Sequence, residues 1–119
     1  MKIKDIRELL DAELLAGEES LENEVCSACC SDMMSDVLAY VKDQGVLITG
    51  LVNPQVIRTA NMMDMLCVVF VRSKTPTDEM IDLANECGIV VMKSDMRAFD
   101  ACGLLYTAGI ARKAEGKNV

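Results

Sequence analysis

The sequence contains no histidine and no tryptophan, and aromatic residues make up only 3% of its 119 positions. Without histidine there is no Ser–His or Cys–His pair to activate a nucleophile, and no side chain easily tuned as a base near neutral pH. Neither a GxxxxGK[ST] nor a GxGxxG motif occurs, so the usual phosphate-binding loops are missing. We therefore expect a protein that is not an enzyme.

Long apolar runs are also missing. None reaches the roughly 18 residues that a membrane span needs, and the amphipathic segment 1–17 lacks the continuous apolar stretch of a signal peptide. The net charge is −7, and the whole acidic excess lies in residues 1–36, which disfavours binding to nucleic acid. We expect a cytoplasmic chain that contacts neither membrane nor nucleic acid and whose six cysteines are reduced.

Hydrophobic residues, by contrast, make up 51% of the chain, and nine of them are methionine. With so few aromatics, the core must be built from aliphatic and thioether side chains, since flexible methionine fills irregular gaps. The length fits a single domain, which we place at residues 1–111, followed by a polar tail at 112–119.

Five short apolar segments alternate with helical patterns. They predict strands at 12–15, 25–30, 46–49, 67–71 and 89–92. Helices are predicted at 2–10 and after the capping residues at 31–32, 53, 75–78 and 94–95, the last with Phe99, Cys102 and Tyr106 on its apolar face. Strands that are apolar throughout and joined by helices form parallel sheets covered on both faces. The prediction is a three-layer α/β/α fold with a mainly parallel sheet of about five strands.

Ligands of open parallel sheets bind beyond the carboxyl ends of the strands, where the helices begin. Backbone N–H groups and three cations occur together at the predicted junctions, and this combination suits an anion. The candidate anion-binding residues are Ser31, Asp32, Thr49, Asn53, Arg72, Ser73 and Lys93, with Lys74 adding charge. The alternative is that these junctions are ordinary parts of the fold and bind nothing.

Two further patterns keep an enzyme or a cluster-binding protein open as alternatives. Cys26, Cys29 and Cys30 have a spacing that can bind Zn²⁺ or an iron–sulfur cluster, but a closed site needs four ligands and no second pair follows. Asp32 and Asp36 are one helical turn apart, so they could share a metal or act as acid and base. We favour unligated thiols and solvated carboxylates, with no metal and no cofactor.

Adjacent methionines suggest a contact between copies of the chain. The pairs Met33–Met34 and Met62–Met63 each cover more than one face of a predicted helix, so not all of them can point inward. We expect a homodimer that uses these four residues, because two-fold contacts are the commonest arrangement. The alternative is that they fill gaps between helix and sheet.

With these elements in order, the chain resembles the DRTGG domain family over nearly its full length. The resemblance lies in MKIKDI at 1–6, SDMMSDVLA at 31–39, LITG and NPQVI within 47–57, and the proline-containing turn before Asp78. It implies a fold similar to the N-terminal domain of HPr kinase/phosphorylase and a dimerising regulatory module without established catalysis, as in relatives fused to CBS domains. From this resemblance together with the candidate anion-binding residues, we expect a non-catalytic module that senses an anionic metabolite or a nucleotide. The family's Thr-Gly-Gly segment is replaced here by residues 72–74, Arg-Ser-Lys.

Overall fold

A computed structural model describes residues 1–40 and 45–110 of the chain. The helices are α1 (Ile3–Leu9), α2 (Met34–Tyr40), α3 (Pro54–Met62), α4 (Asp78–Cys87) and α5 (Ala98–Thr107). The strands are β1 (Glu13–Ala16), β2 (Ser27–Cys30), β3 (Gly45–Thr49), β4 (Cys67–Phe70) and β5 (Val90–Lys93), with one 3₁₀ turn at Glu18–Ser20. All five predicted strands are present, each with ends within two residues of the prediction.

The five strands form one mixed sheet in the order β1-β5-β4-β3-β2. Strands β2 to β5 are parallel because each is joined to the next by a helix, which brings the chain back to the same edge of the sheet. Strand β1 pairs antiparallel with β5, with Glu13 opposite Lys93. The predicted mainly parallel sheet is therefore confirmed.

The sheet separates two hydrophobic clusters. Helices α1 and α5 cover one face, where Ile48, Val69 and Met92 are buried. Helices α2, α3 and α4 cover the other, where Leu47 and Phe70 are buried. Neighbouring residues of β3 and β4 point to opposite faces and both faces are covered, which explains why these strands are apolar at nearly every position. The three-layer arrangement is confirmed.

Local capping signals place α3 and α4 as expected. The Asn53 side chain accepts a hydrogen bond from the Gln55 backbone N–H, with Pro54 as the first helical residue. Thr77 accepts one from the Met80 backbone N–H in the same way. These are short-range contacts, so they can be recognised from sequence alone.

The prediction for the last helix was wrong in two respects. Helix α5 begins at Ala98 and not directly after 94–95. The hydroxyl of buried Ser94 donates to the backbone carbonyl of Leu10 and accepts from the Met96 backbone N–H, which forms a turn before the helix. Its buried residues are Ala101 and Leu105, whereas Phe99 is 83% exposed. Apolar side chains occur around most of this helix, so hydrophobicity alone could not select the inward face.

No helix in the described ranges is long and apolar enough to cross a membrane. The polar tail predicted at 112–119, and the domain end at 111, lie outside the described residues. The acidic N-terminal region contains the ion pairs of Glu22 with Lys2 and Lys4, all on exposed side chains. Such pairs contribute little to stability because water screens them.

Candidate functional site

The parallel strands end at one side of the sheet, as the fold requires. We call this side the carboxyl edge and define it by residues 31–32, 49–53, 72–75 and 93–95, which follow or end β2, β3, β4 and β5. Every residue predicted to bind an anion lies within these four segments. The sequence therefore placed the candidates on one edge, but it could not say which of them meet.

Asp32 lies at the centre of the contacts at this edge. Its Oδ1 accepts hydrogen bonds from the Thr49 hydroxyl at 2.9 Å and the Gly50 backbone N–H at 2.8 Å. Its Oδ2 lies 3.4 Å from Nη2 of Arg72. Thr49, Gly50 and Arg72, which lie in the junctions that we predicted to bind an anion, therefore contact a carboxylate of the chain itself. The sequence gave no sign of this, because the partners are 17 to 40 residues away.

These contacts determine the charge of Asp32. The hydrogen bond from the Gly50 backbone N–H lowers the pKa of this carboxyl most strongly. Partial burial, the next influence, raises the pKa, while the Thr49 hydroxyl and the Arg72 guanidinium lower it further. The net shift is downward, so Asp32 is ionised at neutral pH and acts as an internal anion at the edge.

Backbone hydrogen bonds fix the loop that carries Arg72. Arg72 and Ser73 both have left-handed backbone conformations, with φ of 60° and 59°. Their N–H groups donate to the carbonyls of Met96 and Ser94, at 2.8 and 3.1 Å, in the loop that follows β5. These two hydrogen bonds offset the cost of the left-handed conformation. The backbone of Arg72 is therefore fixed just after the end of β4.

The other predicted residues have separate contacts. The Ser73 hydroxyl donates to Asp95 at 2.7 Å, and Lys93 donates to the Thr75 hydroxyl at 3.0 Å. Lys74 is exposed on the same loop. Arg72 and Lys74 therefore lie on the loop 72–75, and Lys93 contacts the end of this loop from β5. Asp95, which contacts Ser73, is a second carboxylate at this part of the edge.

Ser31 and Asn53 are engaged in local structure. The Ser31 hydroxyl oxygen accepts a hydrogen bond from the Met33 backbone N–H at 2.9 Å, and the Asn53 side chain caps α3. Both stabilise the loops that flank Asp32 and Gly50. Both side chains position backbone at the edge, and their contact with an anion stays a prediction.

The structure does not provide the shared helical face on which the Asp32–Asp36 alternative depended. Asp36 lies in the first turn of α2, but Asp32 precedes this helix and its carboxylate contacts Thr49 and Gly50. Among the described residues, no group of three or more Cys, Asp or Glu side chains is arranged to hold a metal ion.

The cysteines at the end of β2 point to different faces of the sheet. Cys29 is half-buried against the α2–α4 face, whereas Cys30 is exposed and lines a cavity together with Cys102 on α5. This cavity has a volume of about 370 Å³ and is lined mostly by apolar side chains. We call it the α5 pocket; its lining includes Ile48, Phe99, Leu105 and Tyr106. Our sequence reasoning missed the pocket because it placed Phe99 and Tyr106 in the core.

The four candidate methionines divide into two kinds. Met34 and Met63 are half-buried and pack against the core on the α2–α4 face. Met33 is 61% exposed and Met62 is 65% exposed. These two lie at opposite ends of the neighbouring helices α2 and α3, since both helices begin at the carboxyl edge.

Comparison with known proteins agrees with this architecture. Residues 5–108 match the family model of the DRTGG domain, whereas no curated protein matches the chain. The fold is similar to a crystal structure of the CBS and DRTGG domains of the regulatory region of Clostridium perfringens pyrophosphatase, complexed with the activator diadenosine tetraphosphate. That likeness has a TM-score of 0.71 and 18% identity over 87% of this chain, which spans 45% of the other. Because the family model covers nearly all described residues, this chain belongs to the DRTGG domain family.

Proposed function

We propose that this chain is a regulatory module without catalytic activity of its own, and that it binds a phosphate-bearing metabolite at the carboxyl edge. The similar solved structure is a regulatory region in complex with a nucleotide activator, which supports a nucleotide as the class of ligand. We place the module in the cytoplasm, as we expected from the sequence.

One observation carries this proposal: within residues 1–40 and 45–110, the Arg72 side chain at the edge forms only a long polar contact with Asp32. The contact between Arg72 and Asp32 is 3.4 Å long, whereas strong charge-assisted hydrogen bonds measure about 2.7–2.9 Å. Both side chains are about half exposed, at 45% and 53%. A phosphate can therefore recruit the guanidinium at little cost, because the contact that it replaces is long and screened by water.

The remaining donors suit a phosphate for the same reason that they suit Asp32. The Gly50 backbone N–H and the Thr49 hydroxyl now donate to one carboxylate oxygen, and a phosphate oxygen can accept from the same groups. Lys74 and Lys93 add positive charge near the loop that carries Arg72, since Lys93 donates a hydrogen bond to Thr75. Two anions cannot share this position, so the ligand takes the place of the Asp32 carboxylate.

Displacement of Asp32 gives the module a means of signalling. Asp32 lies two residues after the end of β2 and two residues before the start of α2. Moving its carboxylate shifts the turn that leads into α2, including exposed Met33. Ligand binding at the edge is thereby linked to a surface on which a partner protein, or a second copy of the chain, can respond.

Calorimetric titration with diadenosine tetraphosphate and with inorganic pyrophosphate tests this function. We expect Arg72→Ala to weaken binding by about 1–3 kcal/mol, the range for a hydrogen bond to a charged group. Asp32→Asn should strengthen binding, because it removes the competing charge. Added salt should weaken binding to the wild type.

Arg58→Ala is the matched control, since it removes an exposed arginine on α3 whose side chain donates a hydrogen bond to Gln55 on the same helix. It should bind both probes like the wild type. Equal binding by the wild type and Arg72→Ala, or weaker binding by Asp32→Asn, would refute displacement of Asp32 at this edge.

We further propose that the module forms a homodimer through exposed methionine at the α2–α3 side. Met33 and Met62 are large apolar side chains that remain mostly in contact with water in the single chain. Burying such side chains against a second copy is favourable, and flexible methionine adapts to a partner surface. The two positions lie at opposite ends of their helices, so a contact that includes both must cover the length of α2 and α3.

A further inference from the structure

We propose that Cys30 and Cys102 form a reactive dithiol site, which low-molecular-weight disulfides convert into an intramolecular disulfide between β2 and α5. This modification is independent of the ligand function proposed above. It rests on the position of the two sulfurs, on their unequal exposure and on the pocket beside them.

The position of the two sulfurs is the first observation. Cys30 ends the edge strand β2, and Cys102 lies in the middle of α5, which covers the same face of the sheet. Both cysteines line the α5 pocket, and the Cys30 thiol is one of the groups that raise the pKa of Cys102. Cys29 points to the opposite face and Cys67 is fully buried, so neither competes for Cys102 from an accessible position. Bond formation requires the two sulfurs, which face the same pocket, to approach to about 2.05 Å.

Exposure determines which sulfur reacts first. Cys30 is exposed, so a reagent in solution reaches it directly. Burial raises the pKa of Cys102 to about 12, and the nearby Cys30 thiol contributes to the increase. Because the thiolate is the nucleophile, Cys102 is the slower of the two and reacts second.

The α5 pocket provides room for the reagent. Its volume of about 370 Å³ and its apolar lining, which includes Phe99 and Tyr106, suit a small uncharged molecule. A group attached to Cys30 can lie in this space while Cys102 approaches the same sulfur.

The reaction is thiol–disulfide exchange in two steps. The Cys30 thiolate attacks one sulfur of the reagent RSSR, which forms a mixed disulfide and releases one RS⁻. Cys102 then loses its proton to water and attacks the sulfur of Cys30, which releases the second RS⁻. The protein gives up two electrons and two protons in total, and the reagent ends as two thiols.

The test is to treat the reduced protein with 2-hydroxyethyl disulfide, to block remaining thiols with N-ethylmaleimide under denaturing conditions, and to map the linked peptides by mass spectrometry. We expect the linked pair Cys30–Cys102 as the main product, with four alkylated cysteines. The oxidised protein should melt at least about 5 °C higher than the reduced protein, because the new bond closes a long loop.

Three variants complete the test. Cys30→Ser and Cys102→Ser should form no intramolecular disulfide, and Cys102→Ser should stop at the mixed disulfide on Cys30. Cys87→Ser is the control, since Cys87 packs on the opposite face of the sheet, and it should behave like the wild type. A main product that links Cys26 to Cys29 or Cys30, a disulfide between two chains, or full alkylation of Cys30 and Cys102 after treatment would overturn the proposal. Mapping of the wild type decides the matter even if a variant fails to fold.

Discussion

The guanidinium of Arg72 lies over Gly50, in the space that a β-carbon at position 50 would occupy. Position 50 does not need glycine for an unusual backbone angle; it needs glycine for room. Because position 50 has no side chain, the guanidinium of Arg72, which follows β4, can lie over the end of β3. There it contacts Asp32, which also accepts a hydrogen bond from the Gly50 backbone N–H. Any residue larger than glycine must move Arg72.

Gly50→Ala should therefore alter the site while leaving the fold intact. The added methyl group displaces the end of a flexible, half-exposed side chain, so we expect the free energy of unfolding to change by no more than about 0.5 kcal/mol. The Arg72–Asp32 contact is lost, and binding of diadenosine tetraphosphate should weaken in the same direction as for Arg72→Ala. Urea unfolding and calorimetry measure the two effects. A large loss of stability would mean that Arg72 cannot move aside.

Gly17 and Gly88 form a matched pair that separates backbone strain from crowding. Both have positive φ, of 84° and 74°, but an added β-carbon at Gly17 would lie 2.8 Å from the Val90 backbone, whereas nothing lies within 4 Å at Gly88. Gly88→Ala should cost about 1–2 kcal/mol, the strain of a left-handed residue. Gly17→Ala should cost clearly more, because β5 must also shift. Urea unfolding measures both losses of stability. If Gly17→Ala and Gly88→Ala lowered the free energy of unfolding equally, crowding against Val90 would cost nothing, and β5 would move away from residue 17 easily.

Acid should remove the stabilisation that Asp32 provides. The pKa of this group is lower in the folded protein than its ordinary value of 3.8, so its contribution is complete above that value and is lost as the pH falls through the folded pKa. We expect the wild type to melt above Asp32→Asn at neutral pH, and the difference to shrink below about pH 4. With the side chain 53% exposed, the effect should stay below about 1 kcal/mol.

Melting curves of both proteins between pH 7 and 2.5 measure this difference. A gap that widens in acid would contradict the lowered pKa, because it would mean that the folded state favours the protonated carboxyl. Tm values of Glu8→Gln, which removes one negative charge from an exposed side chain of α1, provide the reference for a change in net charge alone.

Size-exclusion chromatography with light scattering tests the homodimer. A chain of 13.0 kDa should elute with about twice that mass at tens of micromolar. Met33→Glu or Met62→Glu should shift the mass toward the monomer without unfolding, because each places a charge where an apolar side chain would be buried. Thr107→Glu adds the same charge at an exposed position of α5, on the opposite side of the sheet, and should leave the dimer unchanged. A wild-type mass of one chain would reject the dimer.

The sequence predicted the architecture well because its signals are local. All-apolar strands such as β4, and caps such as Asn53 and Thr77, are determined by neighbours within a few residues. The site was predicted only as far as the edge on which it lies. Which groups meet there depends on Asp32 reaching Gly50 and Arg72, 18 and 40 residues away, and no periodicity contains that information.

The prediction of which α5 residues point inward was wrong for a related reason. Ala101 and Leu105 contact the sheet although Phe99 is larger and more hydrophobic, because the face is chosen by the shape of the surface that α5 covers. The Cys30–Cys102 pair depends on the same choice, so it could not be seen before the helix was placed.

The pairing of β1 with β5 has a consequence for how the chain folds as it is made. Glu13 lies opposite Lys93, and the Ser94 hydroxyl reaches back 84 residues to Leu10, so the sheet cannot be completed until both parts exist. At about 5–20 residues per second, the first strand waits roughly 4–16 s for its neighbour. The waiting segment is also where the acidic excess of the chain is concentrated. Its charge keeps nascent copies apart during the interval in which β1 has an unpaired edge.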